Sequence, residues 1–418
     1  MNTRAKIVLA SVICLSLYLT NIVFGAETIA KITIKSEKDI SENVAVSVEL
    51  KKIPNEIKYG YCQLIRENDG ESQIIPFQIE NSQPARLWFL LPEKLPANQE
   101  QVYKIISGQP TQSPLVQIKM DCKTLTLSQG CRKALQYYYG EMEPPEGDTE
   151  LYTRSGFFHP IWTPGGKVLT RIHPFDHVHH MGFWLPWTNT EFEGRHVDFW
   201  NVDDSLGTVR FVKFNDVTTG PVFGGFEALQ HHLDVKAPEG EKVVLNELRD
   251  VRVWNTNDPD DRFSVWDVTS TQTCASSSPL LLHQYRYGGM GFRGPASWTP
   301  RNSNYLTSEG KTRKDGNGTR ARWFIIYGKT DEGHAGILLM SHPVNHEHPE
   351  PLRIWPDGDI FCGFCPVVVN EWLLEPGKDY VRKYRAVAYD GKMTAEEAEQ
   401  FWQDWVNAPQ VETKLKNK

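Results

Sequence analysis

Hydrophobic and polar residues alternate one for one through much of this chain. In "DYVRKYRAVAYD", Tyr380, Arg382, Tyr384, Ala386 and Ala388 fall on one side and Val381, Lys383, Arg385, Val387 and Tyr389 on the other, the period of two that marks an extended strand. Comparable runs recur in "KVVLNELRDVRVW", "DRFSVWDVTSTQTC", "LLLHQYRYGG", "RARWFIIYGK" and "AGILLMSHP". Earlier, "ETIAKITIKS", "VAVSVEL", "RLWFLLPE" and "QVYKIIS" are short, rich in branched and aromatic residues, and bounded by Pro, Asn, Gly or charge clusters. No regular series of helices intervenes to supply parallel crossovers, so the pattern predicts antiparallel strands. One helix stands out in "TAEEAEQFWQDWV", where Thr394 and Glu397 form a capping box and Ala398, Phe401, Trp402 and Trp405 follow at helical spacing. The predicted organisation is a β-rich region over 26–125, a larger β domain over 126–392, an amphipathic helix over 393–408 and a polar tail over 409–418.

The first 25 residues follow a different pattern. Arg4 and Lys6 precede an apolar run at 7–19, and Val23-Phe24-Gly25 offers a cleavage site. This reads as a secretory signal peptide and predicts export to the periplasm or beyond. The run is shorter than the roughly 18 residues of a bilayer span, and no later stretch approaches that length, so no membrane association is expected after cleavage. The formal net charge is −7, and loss of Arg4 and Lys6 makes it more acidic, which argues against a nucleic-acid partner. Among the cysteines, "CGFC" at 362–365 has the spacing of a redox or zinc pair. No second pair joins it and no strand-to-helix pattern carries it, so a structural role is expected.

Candidate chemistry concentrates in "HPFDHVHHMGFW", residues 173–184. Of 13 histidines, four lie in this stretch, and with His159 five fall between residues 159 and 180: His159, His173, His177, His179 and His180. Read as extended, the stretch puts His177 and His179 on one face and Asp176 and His180 on the other. Two such histidines can share a divalent metal, with a third ligand from His342, His346, His283 or Glu247. They can also divide acid and base work, with Asp176 fixing a tautomer. The blander alternative, polar side chains satisfying backbone groups at a strand end, is costly to accept for five histidines.

Other clusters flank it. Arg154, His159 and Arg171 surround a "TPGG" turn, and arginine forks suit carboxylates or vicinal hydroxyls. "HQYRYGGMGFRG" at 283–294 sets glycines among His283, Tyr285, Arg286, Tyr287 and Arg293; with no helix following, it is not a dinucleotide fingerprint. "SHPVNHEHPEPLRIW" supplies His342, Asn345, His346, His348 and Arg353, and the polar loop 307–320 is a candidate cleft cover. Trp162, Trp184, Trp187, Trp200, Trp298, Trp323 and Trp355 lie near these clusters; their flat faces suit sugar rings.

The ordered set "FFHPIWTPGGKVLTRIHPFDHVHHMGFW", "VDFWN", "YGGMGFRG", "RARWFIIYG", "HPVNHEHPEPLRIW" and "LEPGKDYVRKYRAV" resembles the exported bacterial family catalogued as "methane oxygenase PmoA", over roughly residues 125–390. The resemblance implies a mainly β fold, a large antiparallel β-sandwich similar to the galactose-mutarotase superfamily, with a carbohydrate cleft on one sheet. The matching positions are Asp176, His177, His179 and His180, with His159 before them and Arg293, His342 and Asn345 after. The paired histidine and glutamate of an aldose epimerase are absent in matching order, so simple mutarotation is not implied.

Together these readings predict an exported carbohydrate-active enzyme, lyase or hydrolase, working by acid–base catalysis. His177 or His179 moves the proton, His180 or Asp176 orients it, and Arg293 or Arg171 holds an anionic or hydroxylated sugar. His159, Trp184, His283, Tyr285, His342, Asn345 and His346 are the further candidate substrate contacts. No cofactor is required, with a divalent metal on the histidines as the alternative. The rival functions are a non-catalytic glycan-binding protein and a metal-dependent oxidoreductase. The enzymatic reading expects His177, His179, His342 and Arg293 to converge on one pocket.

Overall fold

The computed structural model describes residues 27–50, 57, 60–68, 71–109, 116–201, 206–256 and 260–415; the leader expected at 1–25 lies outside them. Two large antiparallel sheets dominate. One has eight strands in the order Gly207–Thr218, Phe223–Asp234, Lys242–Trp254, Phe263–Cys274, Tyr380–Asp390, Gly333–Ser341, Trp323–Thr330 and Ser303–Thr307. The other has nine, and its centre runs Glu350–Ile354, Phe361–Phe364, Gly291–Arg293, Phe183–Trp184, Phe157–Ile161 and Arg132–Tyr138.

Alternation explains how the sheets meet. Val251, Val253, Trp266, Tyr384 and Ala386 of the eight-stranded sheet share one buried core with Phe158, Phe183, Phe292, Cys362 and Phe364 of the nine-stranded sheet. Successive residues on a strand point to opposite faces. The neighbours of those core residues, Phe157, Trp184 and Phe361, therefore belong to a second cluster on the outer face of the nine-stranded sheet, and that face carries the site described below. The result is the expected antiparallel sandwich.

The strands predicted from "KVVLNELRDVRVW", "DRFSVWDVTSTQTC" and "DYVRKYRAVAYD" form as Lys242–Trp254, Phe263–Cys274 and Tyr380–Asp390. "LLLHQYRYGG" does not: only Leu280–Leu282 is a strand, and the chain then leaves the sheet as a loop. The helix spans Ala395–Val406. Glu397 N–H donates to Thr394 Oγ1 at 3.1 Å and Thr394 N–H to Glu397 Oε2 at 2.8 Å, so the capping box is complete. Ala398 and Trp402 bury against Leu338, Met340 and Val387 of the eight-stranded sheet.

A smaller unit precedes the sandwich. Thr28–Lys35, Glu100–Ser107, Cys62–Asn68 and Glu71–Ile75 form one sheet, and Ala45–Glu49, Arg86–Leu90 and Phe77–Glu80 another, around a core that includes Ile32, Ile34, Val46, Leu87, Phe89 and Ile105. Two boundaries differ from the sequence reading. Val116–Met120 pairs with Thr124–Gln129 inside the large sheet, so the small unit ends before residue 116 rather than at 125. The expected polar tail is an edge strand instead: Gln410–Leu415 pairs with Thr28–Lys35 of the small unit, where Val411 packs on its core. Backbone pairing and one inward apolar residue outweigh a largely polar composition there. Among the described residues no helix is long and apolar enough to cross a membrane.

Candidate active site

Three adjacent central strands of the nine-stranded sheet bring their loops together. Phe183 pairs with Phe292 and Trp184 with Gly291, while Phe292 pairs with Cys362 and Arg293 with Phe361. The loops before these strands, 171–181, 283–290 and 355–360, all send residues to one cleft. Between them lies a cleft of about 680 Å³ whose walls include Asp176, His177, His179, His180, Asp198, Tyr285, Arg286, Tyr287, Arg353 and Trp355.

The histidine stretch is not extended. His177 N–H donates to Pro174 O at 3.0 Å and His180 N–H to His177 O at 2.9 Å, giving two successive turns. His173, at φ 45°, closes their base through its own N–H to His180 O and through Nδ1 to Val178 O at 2.9 Å. Gly182 then turns back into the sheet at φ 68°, where a Cβ would lie 2.3 Å from Phe158 O; the glycine of this motif is required sterically. The strand-based division into two faces therefore fails. His177 and His180 stack, with centroids 4.8 Å apart and planes 14° apart, and His179 stands edge-on to both.

Polar partners give the three rings different states. Burial, then the neighbouring ring of His177, pushes His179 down to about 3. His180 is pushed well below the usual imidazole range by burial and by His179 and Arg293; it stacks on Phe361 at 4.5 Å. Both are neutral at physiological pH. His177 is the ring closest to solvent, with 38% of its side chain exposed and Nδ1 3.2 Å from Asp176 Oδ2. That contact is at hydrogen-bond distance but off the ideal direction, as catalytic contacts often are before substrate binds. A proton on Nδ1 turned toward this carboxylate would leave the Nε2 lone pair free.

Asp176 is in turn gripped by Arg293, whose Nη2 donates to both carboxylate oxygens at 2.8 Å. Burial raises the carboxyl, but the Arg293 hydrogen bonds and charge outweigh it and hold Asp176 below the ordinary carboxylate range. Arg293 has no exposed side-chain surface and also lies 3.7 Å from Asp359, while Asp359 pairs with Arg171 at 2.8 Å. An Arg293–Asp176–His177 chain thus leads from a buried cation to the cleft. On the opposing loop, Tyr287 OH accepts from Asn201 Nδ2 at 3.1 Å, and burial, then Tyr285, pushes it up to about 12, so it remains a neutral donor. Phe175, 93% exposed, stands on the lip beside Asp176.

Of the residues expected to bind substrate, Tyr285 lines the cleft, and Trp184 lies one layer beneath, 5.1 Å from the His180 ring. His159 is buried against Thr170 at 2.9 Å, and His283 lies 3.5 Å from Glu191. His342 packs on Trp405, His346 stacks on Trp372 at 4.0 Å, and Asn345 donates to Glu350 Oε2 at 2.9 Å and to Lys383 O at 2.9 Å. None of these five borders the cleft; of the four residues expected to converge, His177 and His179 line it, Arg293 lies buried behind Asp176, and His342 lies elsewhere. Arg171 and Arg293 are paired with Asp359 and Asp176, and neither lines the cleft. Of the seven tryptophans singled out, Trp355 alone lines the cleft. Loop 307–320 acts from behind: Arg313 donates to Trp355 O at 3.2 Å and Gly358 O at 3.1 Å, fixing the 355–360 loop.

Nor do the metal candidates assemble. Glu247 is fully buried in its own network, 2.8 Å from His232 Nε2 and 2.9 Å from Arg249 Nη2. Among the described residues no group of three or more His, Cys, Asp or Glu is arranged to hold a metal. Cys362 and Cys365 are buried free thiols on one strand and its end, and burial pushes Cys365 up to about 12. The sequence reading missed Asp198, Asn201 and Asp359; the signal available for the first two was the motif "VDFWN".

A family model described as "Family of unknown function (DUF6807)" matches residues 124–403. The chain belongs to this family. Its description names no activity and not the methane oxygenase of the motif resemblance. No curated protein matches. Among solved structures, the chain is similar to heparan sulfate lyase HepC from Pedobacter heparinus (10% identity, 69% of this chain and 38% of that one, TM-score 0.35). It is also similar to a glycosyl hydrolase family 38 protein from Enterococcus faecalis (11%, 94% and 48%, 0.42) and to the alpha-galactosidase from Lactobacillus brevis (10%, 66% and 40%, 0.29). The chain spans less than half the length of each. All three are sugar-active enzymes by name, and at scores this low they transfer no chemistry to this member of the family.

The buried rings also set a pH dependence of stability. Burial pushes His159 and His342 down to about 4, and His179 to about 3. The unfolded chain takes up protons at these rings near pH 6.5, and the folded chain does not. Stability is therefore complete above about pH 6.5 and lost progressively toward pH 4. Thermal midpoints recorded across that window should fall steadily, and a flat profile would show that the rings are solvated.

Proposed function

We propose that this protein is an exported carbohydrate-active enzyme that breaks its substrate by proton abstraction and elimination. The observation that carries this reading is the Arg293–Asp176–His177 chain facing Tyr287 across one cleft. Two-carboxylate glycoside hydrolysis needs one carboxyl group free to donate and a second free to attack or activate water. The cleft walls hold two carboxyl groups, Asp176 and Asp198. Arg293 occupies both oxygens of the first. The second accepts from Trp200 N–H and Asn201 N–H at 2.8 Å and from Asn201 Nδ2 at 2.7 Å. Both are committed to holding the site's shape.

In the proposed step, His177 Nε2 takes a proton from a sugar carbon next to an electron-withdrawing group. The electron pair left behind forms a carbon–carbon double bond, the neighbouring carbon–oxygen bond to the leaving sugar breaks, and that oxygen takes the Tyr287 proton. Tyr287 is suited to this donation because it stays protonated until a strongly basic sugar oxygen appears. Trp355 and Phe175 offer ring faces for a sugar, and the leader-like start supports export. No metal enters the scheme.

A second reading, hydrolysis, is favoured by one observation: burial raises the Asp198 carboxyl above its ordinary range, as a general acid requires. Tyr287→Phe separates the two. Elimination predicts a fall in kcat of about 10²-fold with KM little changed, whereas hydrolysis through Asp198 predicts near-normal kcat. The rate is read from the ultraviolet absorbance of the unsaturated product and from reducing-end release.

A further inference from the structure

We propose that Arg286 and Arg353 form an anion subsite in the cleft, so that the substrate is an acidic sugar whose carboxylate or sulfate group faces this pair. The inference rests on the carbohydrate reading above and adds the substrate class to it.

Charge bookkeeping within the cleft leads to it. Two arginines, Arg286 and Arg353, line its walls, and others, among them Arg171 and Arg293, stand behind. Arg293 is neutralised by Asp176 and Arg171 by Asp359, with contacts of 2.8 Å in each case. Arg286 and Arg353 have no such partner: among the described residues neither lies within ion-pair distance of a carboxylate. Arg286 is exposed, its guanidinium 5.6 and 5.4 Å from the ring centres of Tyr285 and Tyr287. Arg353 is half-buried, its Nη1 donates to Asn317 Oδ1 at 3.1 Å, and its Nε is buried with no hydrogen-bond partner.

The juxtaposition of the two charges is unfavourable without an anion. Two like charges raise each other's energy, and the proximity of Arg286 is one reason that Arg353 binds its proton less tightly than usual, after burial. The chain as a whole is acidic, at −7, yet in this cleft Arg293 takes up the Asp176 charge and leaves Asp198 as the one lining carboxylate against Arg286 and Arg353, and a concave site with low-dielectric walls focuses the surplus positive field on an incoming anion. Planar guanidinium forks match the paired oxygens of a carboxylate or sulfate. A neutral sugar would satisfy neither charge. Neither arginine belongs to the Arg293–Asp176–His177 chain, but Arg286 lies against Tyr287, so the subsite is read from binding affinity and not from rate.

The test is titration calorimetry on the full chain with three oligosaccharides of equal length: an unsulfated uronate, a sulfated neutral sugar and an uncharged one. Wild-type protein is compared with Arg286→Gln, Arg353→Gln and Arg286→Lys. At least one acidic ligand should bind tenfold or more tightly than the uncharged one. Each Gln variant should lose about tenfold of that affinity, Arg286→Lys should recover part of it, and added salt should weaken binding. Which acidic ligand binds assigns the group as carboxylate or sulfate. Arg286 is exposed, so its Gln variant keeps the test decisive if Arg353→Gln fails to fold. Equal affinity for the uncharged sugar, or unchanged affinity in Arg286→Gln, overturns the subsite. Turnover of an uncharged sugar would remove the subsite and leave the acid–base reading intact. Arginine-dependent binding of an acidic sugar with no product formed would do the reverse.

Discussion

His177→Ala is expected to lower turnover by about 10²- to 10⁴-fold, the range for removing a positioned acid or base, with little change in thermal midpoint. The contrast with its neighbours makes the prediction specific. His180 is buried between His177 and Phe361 and is only 4% exposed, so truncating it removes packing and lowers stability. His177 presents 38% of its side chain to the cleft and depends on Asp176 for its direction. Its loss removes the base and leaves the sheet intact. If His177→Ala retained more than a tenth of wild-type kcat, the ring would not be the base. If both activity and thermal midpoint collapsed, its role would be structural.

The second large effect is on stability. Arg293→Leu should destabilise the protein by about 3–5 kcal/mol, the cost of breaking a buried ion pair from one side. The lower end is expected because Asp176 keeps 29% of its side chain in solvent. Arg293 itself has none exposed. It forks onto Asp176, lies 3.7 Å from Asp359 and 3.4 Å from His180 Nδ1, and its guanidinium sits 5.0 Å from the Trp355 ring centre. A leucine offers none of these donors and leaves two carboxylates without their shared cation. Lysine should not restore the loss, since one ammonium cannot reach both Asp176 and His180 as Nη2 and Nη1 do. The ion pair also gives an acid limb. Asp176 is held below its unfolded-state value, so this stabilisation is present above about pH 4 and lost as pH falls further; the variant should lack that limb. Urea denaturation measures the change as a lower midpoint at constant slope. A shift under about 1 kcal/mol would mean that the pair is effectively solvated.

Long-range order was more legible in the sequence than local turns. Period-two alternation over eleven to thirteen residues places Lys242–Trp254 and Tyr380–Asp390 correctly, because each long strand must keep one face dry. The helix was readable from Thr394, Glu397 and Trp402, which specify both its start and its buried side. The histidine stretch misleads for the opposite reason. Over residues 173–180 the chain has no apolar alternation to hold it flat, and Pro174 with the positive φ of His173 folds it into turns. Its importance was visible in composition, but its geometry was not. Likewise, Arg293 and Arg171 were readable as candidate cations, but only their spatial neighbours show them to be neutralised. The two arginines left over, Arg286 and Arg353, lie sixty-seven residues apart in sequence and meet only because the strands that follow Arg286 and Arg353 share one sheet. His342, Asn345 and His346 form a dense polar motif, yet their partners Glu350, Lys383 and Trp372 face away from the cleft's lining.

Bond breakage by elimination driven from His177 can be checked by running the reaction in water enriched in heavy oxygen. An acidic oligosaccharide is digested to completion and the products are weighed by mass spectrometry. Elimination adds no water, so the product masses should sum to that of the starting chain, one product should carry the new double bond, and no label should enter at the cleaved bond. Uptake of one labelled oxygen there for each bond broken, with product masses exceeding the parent by one water, would contradict the account and assign the cleft to hydrolysis.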